Sequence, residues 1–212
     1  MTISFDGQVA IVTGAGGGLG RSHALELAAR GAKVVVNDFG GAVDGSGGSS
    51  AAANAVVAEI EASGGTAMAD GTDVTKLDSV NAMVALVMDA WGRIDVLINN
   101  AGILRDKSFN KMEVADFQVV VDVHLIGSVN CTKAVWAVMR EQNYGRIVMT
   151  TSASGLYGNF GQANYGAAKM GVVGFMNTLV LEGRKNNIFV NTIAPVALTR
   201  MTKDIIPAEF HG

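Results

Sequence analysis

Six short runs of β-branched and apolar residues recur along this chain, each followed by a longer segment of helical pattern, and that alternation leaves few folds open. The runs are 9–13, 33–38, 66–70, 94–99, 146–151 and 188–193. Most are continuous apolar stretches, the pattern of strands buried on both faces. Segments 19–30, 50–62, 77–91, 114–139 and 163–182 read as helices. In 77–91, Leu77, Val80, Val84, Val87 and Trp91 fall at spacings of three and four and form one apolar face. Strands separated by helices pair in parallel, as βαβ units. The sequence therefore predicts an α/β protein with a Rossmann-type doubly wound parallel sheet in three layers, α/β/α. The only prolines, Pro195 and Pro207, follow the sixth run, so 1–212 is read as a single domain. No seventh strand pattern is visible in 197–212.

Composition excludes several classes of function. Hydrophobic residues make up 49% of the chain and charged residues 17%, which rules out intrinsic disorder. Sixteen basic against nineteen acidic residues give a net charge of −3, with no basic excess to neutralise nucleic-acid phosphates. The single Cys131 excludes an internal disulfide and reads as a buried, inert thiol in a reducing compartment. One Cys and three His do not make a structural zinc site, so no metal is expected. The start, MTISFDGQVAIV, lacks the basic and apolar regions of a secretory signal. No apolar run reaches the ~18 residues of a membrane span. The chain ends in His211-Gly212 and not in Ser-Lys-Leu. The expectation is a cytoplasmic protein with no membrane partner. Glycine is abundant, 27 residues in 212 against a usual ~7%, and it clusters at turns. One cluster, GGAVDGSGGSS at 40–50, reads as a flexible surface loop ahead of the 50–62 helix.

Three patterns carry chemistry. The first is Thr13-Gly14-Ala15-Gly16-Gly17-Gly18-Leu19-Gly20, between the first strand and the first helix. Glycines there allow a tight turn and let the backbone approach a pyrophosphate at the helix N-terminus. The second is Asp38, at the end of the second strand and 24 residues after Gly14. A carboxylate at that place can accept from both adenosine ribose hydroxyls and repels a 2′-phosphate. No Lys or Arg replaces a glycine in the 14–20 loop, and Phe39 follows Asp38, so NAD is favoured over NADP. The third is Tyr165 and Lys169, with Ser152 thirteen residues before the tyrosine at the end of the fifth strand. Residues i and i+4 share a helix face. Free tyrosine, with a pKa of about 10, is a poor base at neutral pH. A nearby ammonium would lower that value, and Ser152 could hold the substrate oxygen while the tyrosine exchanges its proton.

With these motifs, the chain resembles the short-chain dehydrogenase/reductases over essentially its whole length. The resemblance rests on TGAGGGLG at 13–20, Asp73-Val74, Asn99-Asn100-Ala101-Gly102, Ser152, Tyr165 with Lys169, and NTIAP at 191–195. It implies NAD(P)-dependent hydride transfer between a carbonyl and an alcohol. It assigns Asp73 to the adenine and the Asn99–Gly102 turn to the cofactor and the central strand. It places Pro195 and Thr199 beside the nicotinamide and gives Lys169 a second contact, to the nicotinamide ribose. Within the family, VVVNDFGG, the GSS at 48–50, NNAGILRDKSF, YGNFGQANYGAAK and NTIAPVALTRMTKD are similar to the units that act on (3R)-hydroxyacyl-CoA thioesters and to their bacterial relatives. Two departures stand out. The asparagine that the family carries in the middle of its fourth helix, where it supports a water linked to the catalytic lysine, is His124 here. Histidine at that place reads either as a substitution of role or as a packed helix residue. The family also continues into a further strand and helix, which 1–212 is read as lacking.

The expected function is NAD-dependent oxidation of a secondary alcohol, or the reverse reduction, with Ser152, Tyr165, Lys169 and His124 as the catalytic set. The substrate class expected from the resemblance is an acyl thioester. Leu104, Leu156, Tyr157, Phe160 and Met201 are candidates for an acyl-chain wall, and Arg105, Lys107, Arg200 and Lys203 for CoA phosphates. A 3-oxoacyl carrier-protein reductase or a steroid or alcohol dehydrogenase could use the same machinery. A non-enzymatic NAD-binding sensor or scaffold is the reading that the intact Ser152–Tyr165–Lys169 set argues against. Helices 114–139 and 163–182 carry more apolar residues than one face needs, for example Val119–Val121 and Val172-Val173. In the family these two helices pair across a two-fold axis, so the resemblance, with this surplus, implies a homodimer or homotetramer.

Overall fold

In the computed structural model, residues 3–196 are described. Thr199, Arg200, Met201 and Lys203 lie outside them, as does the question of a further strand. Strand β1 (Val9–Thr13) is buried at every position and forms the spine of the sheet. It pairs in parallel with β2 (Lys33–Asn37), which carries β3 (Thr66–Asp70) beyond it. On its other side it pairs with β4 (Val96–Asn99), followed by β5 (Gly145–Thr150) and β6 (Ile188–Ile193). The order is β3-β2-β1-β4-β5-β6, every neighbour parallel. The helices are α1 (Gly18–Ala29), α2 (Ala51–Ala62), α3 (Leu77–Trp91), α4 (Val114–Val121), α5 (Gly127–Gln142), α6 (Ala153–Tyr157) and α7 (Ala163–Gly183).

Successive strand side chains point to opposite faces, and this period of two divides the core. Val9, Ile11, Val35, Leu97, Ile147 and Met149 meet α3, α5 and α7. Ala10, Val12, Val34, Val36, Val96 and Ile98 meet α1 and α2. Burial on both faces is what made β1, β2 and β4 read as unbroken apolar runs. Cys131 lies within the first layer, and burial pushes its thiol up to about 12, the state of an unreactive sulfur.

The helix expected over 114–139 is one helical path with a wide turn inside it. Residues Asp122–Ile126 form a π turn between α4 and α5, and such turns gather at functional sites. The whole path 114–142 is long and apolar enough to cross a bilayer by length and composition, which counting unbroken apolar runs does not reveal. Its α5 part lies against β4, β5 and α3, with Cys131, Val135 and Met139 in the core, the place of a sheet-covering helix. The short α6 has no forerunner in the sequence reading.

Strand order reverses direction between β1 and β4, and the connections leaving their C-terminal ends diverge there and open a crevice. Thr13 closes its floor. The β1–β4 ladder ends at the pair Val12 and Ile98, and the Thr13 side chain carries the joint further. Its buried hydroxyl donates to the Ile98 carbonyl (3.3 Å) and accepts from the backbone N–H groups of Asn100 and Ala101 (both 3.0 Å). Asn100 returns the contact, with Nδ2 donating to the carbonyls of Thr13 (3.0 Å) and Gly14 (3.1 Å). Thr13→Val keeps the shape and removes the acceptor for two amides. At about 1–3 kcal/mol for each buried group left unpaired, and with both amides only part-buried, we expect a loss at the low end, about 2 kcal/mol, roughly 4–8 °C in Tm for a chain of this size. Thr13→Ser should melt close to the unmodified protein. Equal melting temperatures for the two variants in a calorimetric scan would remove this role from the hydroxyl.

Candidate active site

A cavity of about 430 Å³ opens above this joint, at the C-terminal edge of the sheet. Gly14, Gly18, Leu19, Asp38, Asp73 and Val74 line it, and Asn100, Ala101 and Gly102 close its inner side. Close approach dictates the glycines. Gly14 has φ +64°, and a Cβ on it would stand 2.8 Å from the Ala101 Cα. A Cβ on Gly20 would meet the Gly14 carbonyl oxygen at 2.2 Å. Gly17, in contrast, faces open space at the N-terminus of α1, where no side chain caps the helix and no acidic residue sits in the first turn. Free N–H groups at a helix start favour an anion. Thr13, Gly16 and Gly20 are not among the lining residues and shape the wall from behind.

Asp38 stands just past β2 and binds the glycine loop from the side. Its Oδ2 accepts from the Gly16 N–H and its Oδ1 from the Gly40 N–H, both at 2.7 Å. Asp73 accepts from the N–H (2.9 Å) and hydroxyl (2.8 Å) of Thr75 and so shapes the turn after β3. A glycine cradle that a Cβ would fill, an uncapped helix start and a carboxylate at the end of β2 together fit a dinucleotide. The 40–50 segment corrects its reading as a flexible surface loop. It is folded by bonds from the Ala42 N–H to the Ser46 carbonyl (2.8 Å) and from the Ser49 N–H to the Phe39 carbonyl (3.0 Å). Phe39, Ala42, Val43 and Gly45 line the cavity. Sequence reasoning also missed Ile103, Lys76, Val119 and Asp122 as lining residues; only the tertiary fold brings them there.

Behind the Gly102–Ile103 wall stands a polar cluster. The π turn carries His124 inward, 3% exposed. Its Nε2 lies 3.1 Å from the Ile103 N–H and 2.8 Å from the Ile103 carbonyl. Its buried Nδ1 has no partner among the described residues. A Cβ on Gly102 would come within 2.4 Å of His124 Cε1. The imidazole packs edge-on against the Tyr165 ring, centroids 5.0 Å apart. Burial holds His124 well below its ordinary pKa, and the nearby Lys169 lowers it further, so the ring is neutral at pH 7.

Ser152 caps α6, its Oγ accepting from the Ser154 N–H (3.2 Å). A Cβ on Gly155 would meet Lys169 Cβ at 2.8 Å, so α6 lies tight on α7. Lys169 is 3% exposed; its Nζ donates to the Thr150 carbonyl (2.5 Å) and lies 5.4 Å from the Tyr165 ring centre. The expected depression of the tyrosine pKa is absent from this arrangement. Burial raises Tyr165 above its ordinary value, while the Ser152 side chain draws it down and the Asp106 charge raises it. Burial also brings Lys169 down to about 7, so its positive charge is partial at neutral pH. A second correction concerns two of the cations expected at CoA phosphates. Arg105 and Lys107 both pair with Asp116, at 3.0 and 2.9 Å. Pro195, past β6, is half-buried and is not among the cavity-lining residues.

Residues 8–209 match the family described as short chain dehydrogenase. The chain belongs to that family. Over 98% of its length it is 56% identical to the mouse peroxisomal multifunctional enzyme type 2, of which it spans 28%. A short-chain type dehydrogenase/reductase of Mycobacterium tuberculosis is 54% identical over 95% of this chain and 71% of its own. A solved 7α-hydroxysteroid dehydrogenase, complexed with NADH and 7-oxo glycochenodeoxycholic acid, superposes with a TM-score of 0.88 at 32% identity, covering 97% of this chain and 77% of that one. The chain spans less than half the length of the multifunctional relatives it matches. Their names also correct the expectation of a cytoplasmic location, since these relatives are peroxisomal enzymes.

The buried lysine makes a stability prediction. Its folded-state pKa of about 7 lies below the ordinary value of 10.5. Between those values the unfolded chain binds the extra proton, so the stability contributed by this group rises with pH through that window. Below pH 7 the folded protein carries a buried cation at full cost. Lys169→Met should therefore flatten the rise in Tm from pH 6 to pH 9 and melt higher than the unmodified protein at pH 6, by roughly 2–4 °C for each kcal/mol recovered. A lower melting temperature for the variant at pH 6 would contradict the burial cost.

Proposed function

We propose that this family member is an NAD-dependent dehydrogenase that interconverts a secondary alcohol and a ketone, with a (3R)-hydroxyacyl-CoA and its 3-ketoacyl-CoA as the substrate pair. The observation that carries the chemistry is the meeting of Ser152, Tyr165 and Lys169 beside the wall of a dinucleotide-shaped cavity. NAD, when bound, supplies the hydride acceptor. Gly14, Gly17, Gly18 and Leu19 would hold its phosphates, Asp38 its adenosine ribose, and Asp73 and Val74 its adenine, with Asn100, Ala101 and Gly102 on the inner wall. Thr13, Gly16 and Gly20 support that set from behind.

In oxidation, Ser152 holds the substrate hydroxyl and Tyr165 phenolate takes its proton as the carbinol C–H leaves as hydride and the carbonyl forms. In reduction, the Tyr165 phenol returns the proton to the carbonyl oxygen. The elevated Tyr165 pKa keeps the phenol protonated at neutral pH, which suits reduction, and makes oxidation gain rate as pH rises. His124, neutral and packed on the tyrosine ring, fixes the orientation of that ring.

Support for the thioester comes from the resemblance in segments 99–109, 154–165 and 191–204. The structure adds a cluster of exposed apolar side chains on and after α6, with Tyr157 87% and Phe160 90% exposed beside Leu156. Asp38 supports NAD over NADP by repelling a 2′-phosphate. The deciding experiment follows NADH formation with the R and S forms of 3-hydroxybutyryl-CoA, a longer R acyl-CoA and a sterol, each with NAD and NADP at equal concentration. We expect turnover of the R thioesters with NAD, rising with pH, and its abolition in Tyr165→Phe with NAD affinity nearly intact. Turnover of the sterol alone, faster turnover with NADP, or an active Tyr165→Phe would each overturn the corresponding part of the reading.

We also propose a homodimer or homotetramer. Helices α4, α7 and the π turn present Val114, Ile126, Met170, Val180 and Leu181 to solvent, a surplus for which a second copy is the natural cover. Sedimentation at micromolar concentration should give a mass above 21.9 kDa; a monomer throughout would rule this out.

A further inference from the structure

Segment 103–107 crosses between the cofactor-shaped cavity and the catalytic helix, and both of its ends are tied down. Toward the cavity, the Leu104 N–H donates to the Val43 carbonyl (2.9 Å), and Gly45 lies close enough that a Cβ there would come within 3.1 Å of Ile103 Cδ1. Toward α7, the Lys107 N–H donates to the Gly161 carbonyl (2.9 Å) and Gln162 Nε2 donates to Asp106 (2.7 Å). Arg105 belongs to both ends. Its Nε donates to the Asp44 carbonyl and one terminal nitrogen to the Asp116 carboxylate, each at 3.0 Å. Its own carbonyl accepts from Asn164 Nδ2 (3.1 Å), which also reaches the Asp116 carbonyl (3.3 Å).

Asn164 is fully buried and directly precedes the catalytic tyrosine. Its Oδ1 accepts the Tyr165 N–H (2.8 Å). A continuous chain of bonds thus runs from Asp44, between the cavity-lining Val43 and Gly45, through Arg105 and Asn164, to the Tyr165 backbone. Lys107 completes the node on Asp116, and the two cations hold that carboxyl below its usual range. Only a guanidinium meets the geometry, because its donors diverge in a fixed fork and an ammonium offers a single point of charge.

We propose that Arg105 is a positioning residue that ties the cavity wall at 42–45 to Asn164, so that a dinucleotide in the cavity and the placement of the Tyr165 phenol are set together. The proposal rests on the dehydrogenase reading above and reassigns Arg105 from the substrate to the coupling of the two half-sites.

The test is residue-resolved hydrogen exchange on the full chain, with and without NAD, alongside steady-state kinetics. Without NAD, Arg105→Ala should speed exchange at the Leu104 and Tyr165 amides together, by roughly two- to fivefold, the scale of a part-exposed ion-pair node. Arg105→Lys, which can pair with Asp116 but cannot reach Asp44 as well, should recover the Tyr165 amide and leave Leu104 fast. Added NAD should slow both amides in the unmodified protein and only Leu104 in Arg105→Ala. In turnover, Arg105→Ala should raise KM for NAD and lower kcat together. Asp116→Asn weakens the same node and gives the same pair of changes at smaller size, so the comparison survives if Arg105→Ala fails to fold. A Tyr165 amide unmoved by both substitutions, or NAD protection of Tyr165 that persists in Arg105→Ala, overturns the proposal. Failure of the unmodified chain to bind NAD overturns the dehydrogenase reading instead, and the NAD-free comparison still decides whether the tie exists.

Discussion

A threonine hydroxyl, answered by the Asn100 amide, joins the two halves of the sheet past the end of their ladder. Past the end of the β1–β4 ladder the two chains turn apart, and the backbone groups of both would face an open crevice. Thr13 offers its one donor to the Ile98 carbonyl and its lone pairs to the amides of Asn100 and Ala101. That clasp brings the Asn99–Gly102 turn against the glycine loop, and the close approaches at Gly14 and Gly20 follow from it. Gly14 must be glycine because Ala101 is held there, and Gly20 because Gly14 is. The cavity is thus a consequence of how two divergent strands are kept together.

The candidate active site is built at a cost to stability. Lys169 and His124 are polar side chains placed where hydrophobic ones would pack without penalty, and His124 Nδ1 lacks a partner among the described residues. Buried groups that fail to find partners cost roughly 1–3 kcal/mol each, and such expenditure concentrates at functional sites. The two apolar layers of the sheet, fully buried from Val9 to Val190, supply the surplus that tolerates it.

The architecture was legible because the inner strands β1, β2 and β4, covered on both faces, read as unbroken apolar runs and the remaining runs recur between helical segments in the same rhythm. The runs at 9–13, 66–70 and 188–193 coincide with β1, β3 and β6, and the others differ by one or two residues at their ends. The Gly-rich turn, Asp38 and the Tyr165–Lys169 pair were legible because their chemistry is local in sequence. The rest depended on contacts that spacing does not encode. Apolar periodicity continues straight through 114–142, so the π turn that carries His124 inward leaves no mark on it. Glycine and serine at 40–50 look like a linker until Leu104 and Arg105 supply the partners that fold it. The sign of the Tyr165 shift turned on the burial of the phenol and on the Asp106 charge, which both raise it and together outweigh the Ser152 side chain that draws it down.

The contact between Gly102 and His124 ties the histories of two positions together. Glycine at 102 has an ordinary negative φ, so nothing in its backbone demands glycine; the demand comes from the imidazole edge that occupies the space of a missing methyl group. While a histidine stands at 124, no larger residue is tolerated at 102. A shorter side chain at 124 would release that constraint, and drift at 102 could then close the way back to histidine. The pair is an epistatic latch: which residue either position accepts depends on the residue at the other.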